Sequence, residues 1–229
     1  MRQILNGIIS RLKKEPYQLN EDIPVTYLFF TSWYRLAMIM RGLLVFCRKD
    51  GLFFLGAKTV IKCTSKISLG SSVTIERGCY FDALSRNGIR IGKSSSFGKN
   101  CIVECTGNLK FLGKGLHIGN HVGVGSGSFL GCAGGIEIGD DTIIGNYVTF
   151  HSENHNYSDQ EMPIRLQGVN HQGIKVGKNC WIGAKVTILD GVTVEDGCVI
   201  AAGALLTKGT YLRDSIYGGV PAKFIRKRI

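Results

Sequence analysis

His155 stands in the stretch SENHNYSD, within the polar segment HSENHNYSDQEMPIRLQGVNHQGIK. That segment holds three of the chain's five histidines, His151, His155 and His171. An imidazole with an ordinary pKa near 6.5 takes a proton from a hydroxyl or amine at neutral pH. Glu153, Asn154, Asp159 or a backbone carbonyl are the neighbours available to hold its tautomer. Position alone does not rank His155 above His151 or His171. His117 and His121 fall inside the repeats described below and read as structural.

Eight cysteines raise the question of a disulfide or metal framework. Cys79, Cys101, Cys180 and Cys198 occupy one recurrent place in a repeat, where a small buried side chain is wanted. Free Cys behaves as a small hydrophobe there. Cys101 and Cys105 make only a CxxxC spacing, a weak zinc signal. The cysteines therefore read as packing residues in a reducing cytoplasm.

The element that positions these groups is a six-residue beat. From Val176 to Tyr211 the chain reads VGKNCW, IGAKVT, ILDGVT, VEDGCV, IAAGAL, LTKGTY. Val176, Ile182, Ile188, Val194, Ile200 and Leu206 open the units, and Cys180, Val186, Val192, Cys198, Ala204 and Thr210 fill the fifth places. A period of six fits neither a helix nor a half-buried strand. It fits a parallel β-solenoid in which three strand-plus-turn units close a coil and the openers stack inside. Gly after an opener is expected to serve the turn.

The beat starts weakly near Cys63 and is clean at Leu112, Ile118, Val124 and Leu130. It slips by two residues after Ile136, which predicts a small bulge, and breaks between Phe150 and Val176. About seven coils at about 4.8 Å each predict a prism on the order of 30 Å tall. Long loops thrown out of regular frameworks are where function concentrates.

A chain of 229 residues holds one large domain and a smaller appendage. The reading is a helical, amphipathic segment over 1–60, the solenoid over 61–212 with its loop at 151–175, and a basic, helical tail over 213–229. A net charge of +11 points to an anionic partner: a nucleotide-type ligand, nucleic acid or a membrane surface.

Residues 1–15 carry Ile4, Leu5, Ile8, Ile9 and Leu12 at helical spacing, with Arg2, Arg11, Lys13 and Lys14 beside them. Residues 25–47 are the most apolar run, interrupted by Arg35 and Arg41. Each arginine costs about 2.5–3.5 kcal/mol at a bilayer centre, and the charge-free pieces are too short to span. Two readings stay open. The run caps the prism and hides its strand edges, or it lies in a membrane interface with Phe29, Phe30, Trp33 and Tyr34 inserted.

NHNYSDQEMPIRLQG, GIKVGKNCWIGAKVTILDGVTVEDGCVIAAGALLTK and GGVPAKFIRKR together resemble the hexapeptide-repeat acetyltransferases. That group includes the galactoside and maltose O-acetyltransferases and those of capsule and exopolysaccharide assembly. The specific resemblance covers residues 138–228. It implies an all-β fold, a left-handed parallel β-helix, assembled as a homotrimer with acetyl-CoA between neighbouring prisms and no metal.

It also implies roles. His155 is the general base. Trp181, from the CWIG motif, lies beside the acceptor and thioester, with Asn154 and Asn146 on the substrate side. Gly183, Ala184 and Ala202 meet the CoA arm through backbone; Ala184 stands where the family often has Ser. Thr207 and Lys208 match a T-K pair at the adenosine end, and Arg226 matches a tail Arg that meets a CoA phosphate.

The implied acceptor is a glycan, nucleotide-linked or lipid-linked sugar in surface polysaccharide assembly. The implied location is the cytoplasm or the inner face of the cell membrane, with no nucleic-acid role. Competing readings are an amine, antibiotic or amino-acid acceptor, a zinc enzyme with three histidines on the same fold, and a non-catalytic assembly subunit.

Overall fold

The computed structural model describes residues 2–13, 16–46 and 51–229; Lys14 and Cys47 lie outside them. Two helices, α1 (Arg2–Lys13) and α2 (Val25–Phe46), precede a long succession of short strands. Consecutive strands visit three sheets in turn, so that each sheet forms one wall of a prism.

The first face runs through Phe54–Leu55, Thr74–Ile75, Ser96–Phe97, Gly123–Val124, Ile143–Ile144, Trp181–Ile182, Val199–Ile200 and Ser215–Gly218. The second begins at Val60–Lys62 and reaches Thr149–His151, Thr187–Leu189 and Leu205–Leu206. The third begins at Ile67–Leu69 and reaches Ile136–Ile138, Ile174–Val176, Val192–Val194 and Gly209–Tyr211. The second and third faces have seven strands each, which matches the expected number of coils. Neighbouring coils pair in parallel throughout the three walls.

The repeat openers fill the prism. Val176, Ile182, Ile188, Val194, Ile200 and Leu206 are all buried, as are Cys180, Val186, Val192, Cys198 and Ala204 at the fifth places. Thr210 departs from this pattern: it is exposed, and Tyr211 turns inward instead. The Tyr211 hydroxyl needs hydrogen-bond partners, and at the end of the stack the Thr207 main chain supplies them. There Tyr211, Tyr217 and Phe224 meet edge to face at 4.9 and 5.9 Å and close the prism.

The two-residue slip is not a bulge. Trp181 pairs with Val199, an advance of 18 residues, whereas Gly123 pairs with Ile143, an advance of 20. The strands Leu116–Ile118 and Ile136–Ile138 remain in unbroken register. The extra residues sit in the corner Cys132–Gly135, which turns through Gly135 at φ +95.

The glycines after the openers also do something other than expected. Left-handed corners fall at the fourth place of a unit, held by Asn179 and Lys185 at φ +52 and +58 and by Gly191, Gly197 and Gly203 at φ +71 to +78. Gly183 instead lies where a Cβ would sit 2.5 Å from the Ala202 amide nitrogen of the next coil. Gly is required there because coils stacked at strand spacing leave no room for a methyl group.

The tail is the clearest correction. Lys223–Lys227 is a strand, not a helix, and pairs antiparallel with Ser215–Gly218. A five-residue helix would not stand alone. Pairing with the last strand of the first face satisfies its main chain and covers an open sheet edge.

α2 packs on the opening strand of the first face. Gly42 lets it approach: a Cβ there would lie 2.6 Å from the Phe53 carbonyl oxygen. The Tyr34 hydroxyl donates to Glu76 at 3.3 Å, Arg35 pairs with Glu76 at 3.6 Å, and Arg41 donates to the Leu55 carbonyl. Burial and the Glu76 charge together push the Tyr34 phenol up. The opposite side bares Phe29, Phe30, Trp33, Leu36, Met40, Leu43 and Leu44, with Phe30 69% and Trp33 67% exposed. By length and composition α2 is long and apolar enough to cross a membrane.

Candidate active site at two prism edges

His155 rides on a two-stranded ribbon. Asn154–His155 pairs antiparallel with Val169–Asn170, and a 3-10 turn at Ile164–Leu166 closes the far end. The ribbon carries its own polar network. Asn156 donates to the Gly168 and Gln167 carbonyls, and Gln167 donates to the Asp159 and Met162 carbonyls. Asp159 is thereby committed within the ribbon, with its carboxylate accepting from the Glu161 amide. It does not reach His155, and among the described residues neither Glu153 nor Asn154 is hydrogen-bonded to that ring. The imidazole is exposed.

Both feet of the ribbon are bolted to the prism. At the outgoing foot, buried Ser152 donates to the Gly131 carbonyl at 2.6 Å and accepts from the Gly134 amide at 3.0 Å. Gly134 has no alternative here, because a Cβ would lie 1.8 Å from the Ser152 carbonyl oxygen. At the returning foot, buried Asp190 accepts from the amides of Gln172 and Gly173. Gly173 turns the chain back into the wall at φ +93.

The residues that the sequence grouped into one site lie on two edges. One edge follows the second face. It carries Asn154, His155, Asp190, Thr207 and Lys208, and the Lys208 stem runs close to Gly191. The Tyr211 hydroxyl clamps Thr207 there, accepting from its amide at 3.0 Å and donating to its carbonyl at 3.1 Å.

The other edge follows the first face and carries Asn146, Gly183, Ala184 and Ala202. Asn146 accepts from the Ser126 amide at 2.9 Å. The Gly183 amide is spent on the Ile200 carbonyl and the Ala184 carbonyl on the Gly203 amide, both within the coil ladder. Gly183 is buried, whereas Ala202 is exposed.

Trp181 precedes that edge and is 57% exposed on the outer side of the first face. Register sets Ile143, Trp181, Val199, Ile216 and Arg226 in one row across that face. At about 4.8 Å per strand, Arg226 lies about 14 Å below Trp181. Arg226 is exposed and donates to the Lys227 carbonyl at 3.1 Å.

The six residue steps from Ala184 to Asp190 set the two edges at most about 20 Å apart across the second face. Base-side and motif-side residues therefore look out from different corners of one chain.

Two recesses, about 690 and 550 Å³, lie on the third face and contain neither His155 nor Trp181. They are troughs beside Arg90, His117, Glu137 and Lys175. A third recess, about 390 Å³, joins Asn146 to Arg35 of α2. His117 and His121 are exposed surface groups, not packed ones. Among the described residues, no group of three or more His, Cys, Asp or Glu is arranged to hold a metal ion.

The cysteines are free among the described residues, and all except Cys63 are buried. Burial pushes the Cys180 thiol up to about 11, which removes it as a nucleophile at neutral pH.

Sequence reasoning missed Asp190, Ser152 and Tyr211. Asp190 precedes Gly191 in ILDGVT and reads as an ordinary turn residue. The same place holds the exposed Lys178, Asp196 and Lys208 in other units, so nothing in the repeat marks Asp190 as buried.

Residues 173–208 match the family model described as bacterial transferase hexapeptide, six repeats. "Probable acetyltransferase Rv3034c" of Mycobacterium tuberculosis is 31% identical over 104 residues, which cover 45% of this chain and 32% of that protein. The chain thus matches about a third of that relative's length.

Two solved structures of variants of AntD, an N-acyltransferase from Bacillus cereus, share the fold. One, in complex with dTDP and coenzyme A, has TM-score 0.53 and 21% identity, covering 76% of this chain and 86% of that one. The other, in complex with dTDP-4-amino-4,6-dideoxyglucose and coenzyme A, has TM-score 0.51 and 20% identity, covering 79% and 82%. Residues 173–208 thus carry hexapeptide repeats of the bacterial transferase kind, and the three-walled fold around them is one that an N-acyltransferase also uses.

Proposed function

We propose that this chain is an acetyltransferase of the hexapeptide-repeat group, wound left-handed, that moves an acetyl group from acetyl-CoA to a sugar hydroxyl. The observation that carries the reading is an exposed imidazole on a pinned ribbon, above prism walls whose residues 173–208 match the transferase repeat. His155 takes the proton of the attacking hydroxyl, whose oxygen adds to the acetyl carbonyl. Backbone N–H groups stabilise the oxyanion, and the CoA thiolate leaves. Trp181, Asn146 and Asn154 would flank the acceptor. Gly183, Ala184, Ala202, Thr207, Lys208 and Arg226 would line the CoA path, the last two offering positive charge to its phosphates.

Because the two sets occupy separate edges, the reading needs one copy's His155 edge beside the next copy's Trp181 edge. A homotrimer closes such head-to-tail contacts into a ring. The acceptor is a glycan, nucleotide-linked or lipid-linked sugar of surface polysaccharide assembly. The bare stripe of α2 supports work at the inner face of the cell membrane, where Trp33 and Phe30 would enter the interface beside basic residues.

A transfer assay with labelled acetyl-CoA across free sugars, nucleotide sugars and amino sugars tests the proposal, with His155→Ala as control. Product on a hydroxyl acceptor that disappears in the variant supports it. Transfer only to amines would favour the second reading, an N-acyltransferase, for which the amino-sugar complex of AntD gives a precedent on this fold. Undiminished turnover by His155→Ala would remove the general base.

A further inference from the structure

Asp190 is a carboxylate with 4% exposure in the corner between the second and third faces. Every partner it has is a donor. One oxygen accepts from the Gln172 amide at 2.9 Å and the Gly173 amide at 2.7 Å. The other accepts from the Gln172 amide at 2.9 Å and from the Asn154 side-chain amide at 3.5 Å. Gln172 and Gly173 end the returning leg of the ribbon; Asn154 begins the outgoing leg. One buried side chain thus holds both legs to the prism.

The consequence reaches His155 through strand geometry. Successive side chains of a strand point to opposite sides. Asn154 is drawn toward Asp190 and the prism corner, so the next side chain, His155, is aimed away from it, into solvent. Asp190 suits the task because a carboxylate is an acceptor only. An asparagine of nearly the same volume would turn an NH2 group toward N–H donors, leaving a buried group unsatisfied.

We propose that Asp190 is a positioning residue for His155, fixing the ribbon so that the imidazole keeps one direction. The inference rests on the reading of His155 as base.

Asp190→Asn tests it, because that change preserves volume and the buried apolar stack. Expected are a fall in kcat of about tenfold or more and a KM for acetyl-CoA within twofold of the parent. In a His155→Ala background, Asp190→Asn should cause no further loss, since its effect passes through that ring. The exchange pair Asp190→Asn with Asn154→Asp restores a donor facing an acceptor and should return amide exchange over 154–173 toward the parent's rate. Exchange as fast as in Asp190→Asn alone would count against the tie between the two side chains.

An Asp190→Asn enzyme with kcat within twofold of the parent would overturn the proposal. So would an equal loss on the His155→Ala background. Hydrogen exchange of the amides over 154–173 reads the tether without any activity. Faster exchange in Asp190→Asn shows the ribbon released even if His155 proves not to be the base, and unchanged exchange sinks the tether itself.

Discussion

The wall of the prism and the ribbon that leaves it are held by different physics. The wall is redundant. Phe150, Ile182, Ile188 and Ile200 are each fully or almost fully buried, and each stacks on residues of the coils on either side. The ribbon is held by a few polar contacts at its feet, through Ser152 and Asp190, and by a side-chain network of its own. Apolar stacking spreads its stabilisation over dozens of contacts. A polar foot concentrates it in two or three hydrogen bonds that fix direction. The wall should therefore answer mutation with lost stability, and the ribbon with lost turnover.

The largest separation of the two should come from His155→Ala. Turnover is expected to fall by about 10²–10⁴ with the thermal midpoint unchanged, measured by acetyl transfer and circular dichroism on the same preparation. A drop in midpoint with turnover intact would invert the comparison. Phe150→Ala, one strand earlier but inside the wall, should cost about 3–5 kcal/mol of unfolding free energy in a denaturant titration. A loss below about 1 kcal/mol would mean that the stack relaxes around the cavity.

Gly183→Ala probes coil spacing rather than filling. Its new methyl group meets the Ala202 amide nitrogen of the next coil, and about 1–3 kcal/mol of destabilisation is expected from the same titration. Gly42→Val, which sets a side chain against the Phe53 carbonyl, should lift α2 off the prism with the coil intact; faster proteolysis within 16–46 and an unchanged coil midpoint would show it.

The smallest effect should be electrostatic. The Asn120 amide, then Lys178 at 3.2 Å, holds the Asp140 carboxyl below its ordinary value. A depressed folded pKa contributes stability above the unfolded value, near 4, that is lost as pH falls through the folded value. The group is largely solvated, so Asp140→Asn should remove at most about 1 kcal/mol at neutral pH and flatten the acid limb of the stability curve.

The legible part of this molecule was the part with a period. Val176 through Leu206 specify the wall because a six-residue beat of aliphatics has one compact solution, three strands to a coil with the openers inside. The free, packed cysteines were legible for the same reason: Cys180 and Cys198 fall on an inward beat. The tail was misread because KFIRK has no intrinsic commitment, and an available sheet edge decided it. The glycines directly after the openers were recognised, but their reason was not. Local sequence suggests a turn, whereas the actual constraint is a neighbouring coil 18 or more residues away.

By itself, the sequence determined the prism, its stacked interior and the place where the ribbon leaves it, since periodic burial is a local pattern repeated. Only the tertiary structure decided that the His155 and Trp181 groups stand on different edges. It also decided that Asp190 ties both legs of the ribbon, because winding brings positions 154, 172 and 190 to one corner. Contacts across coils depend on corner lengths of a few residues, and no single unit of the repeat encodes those.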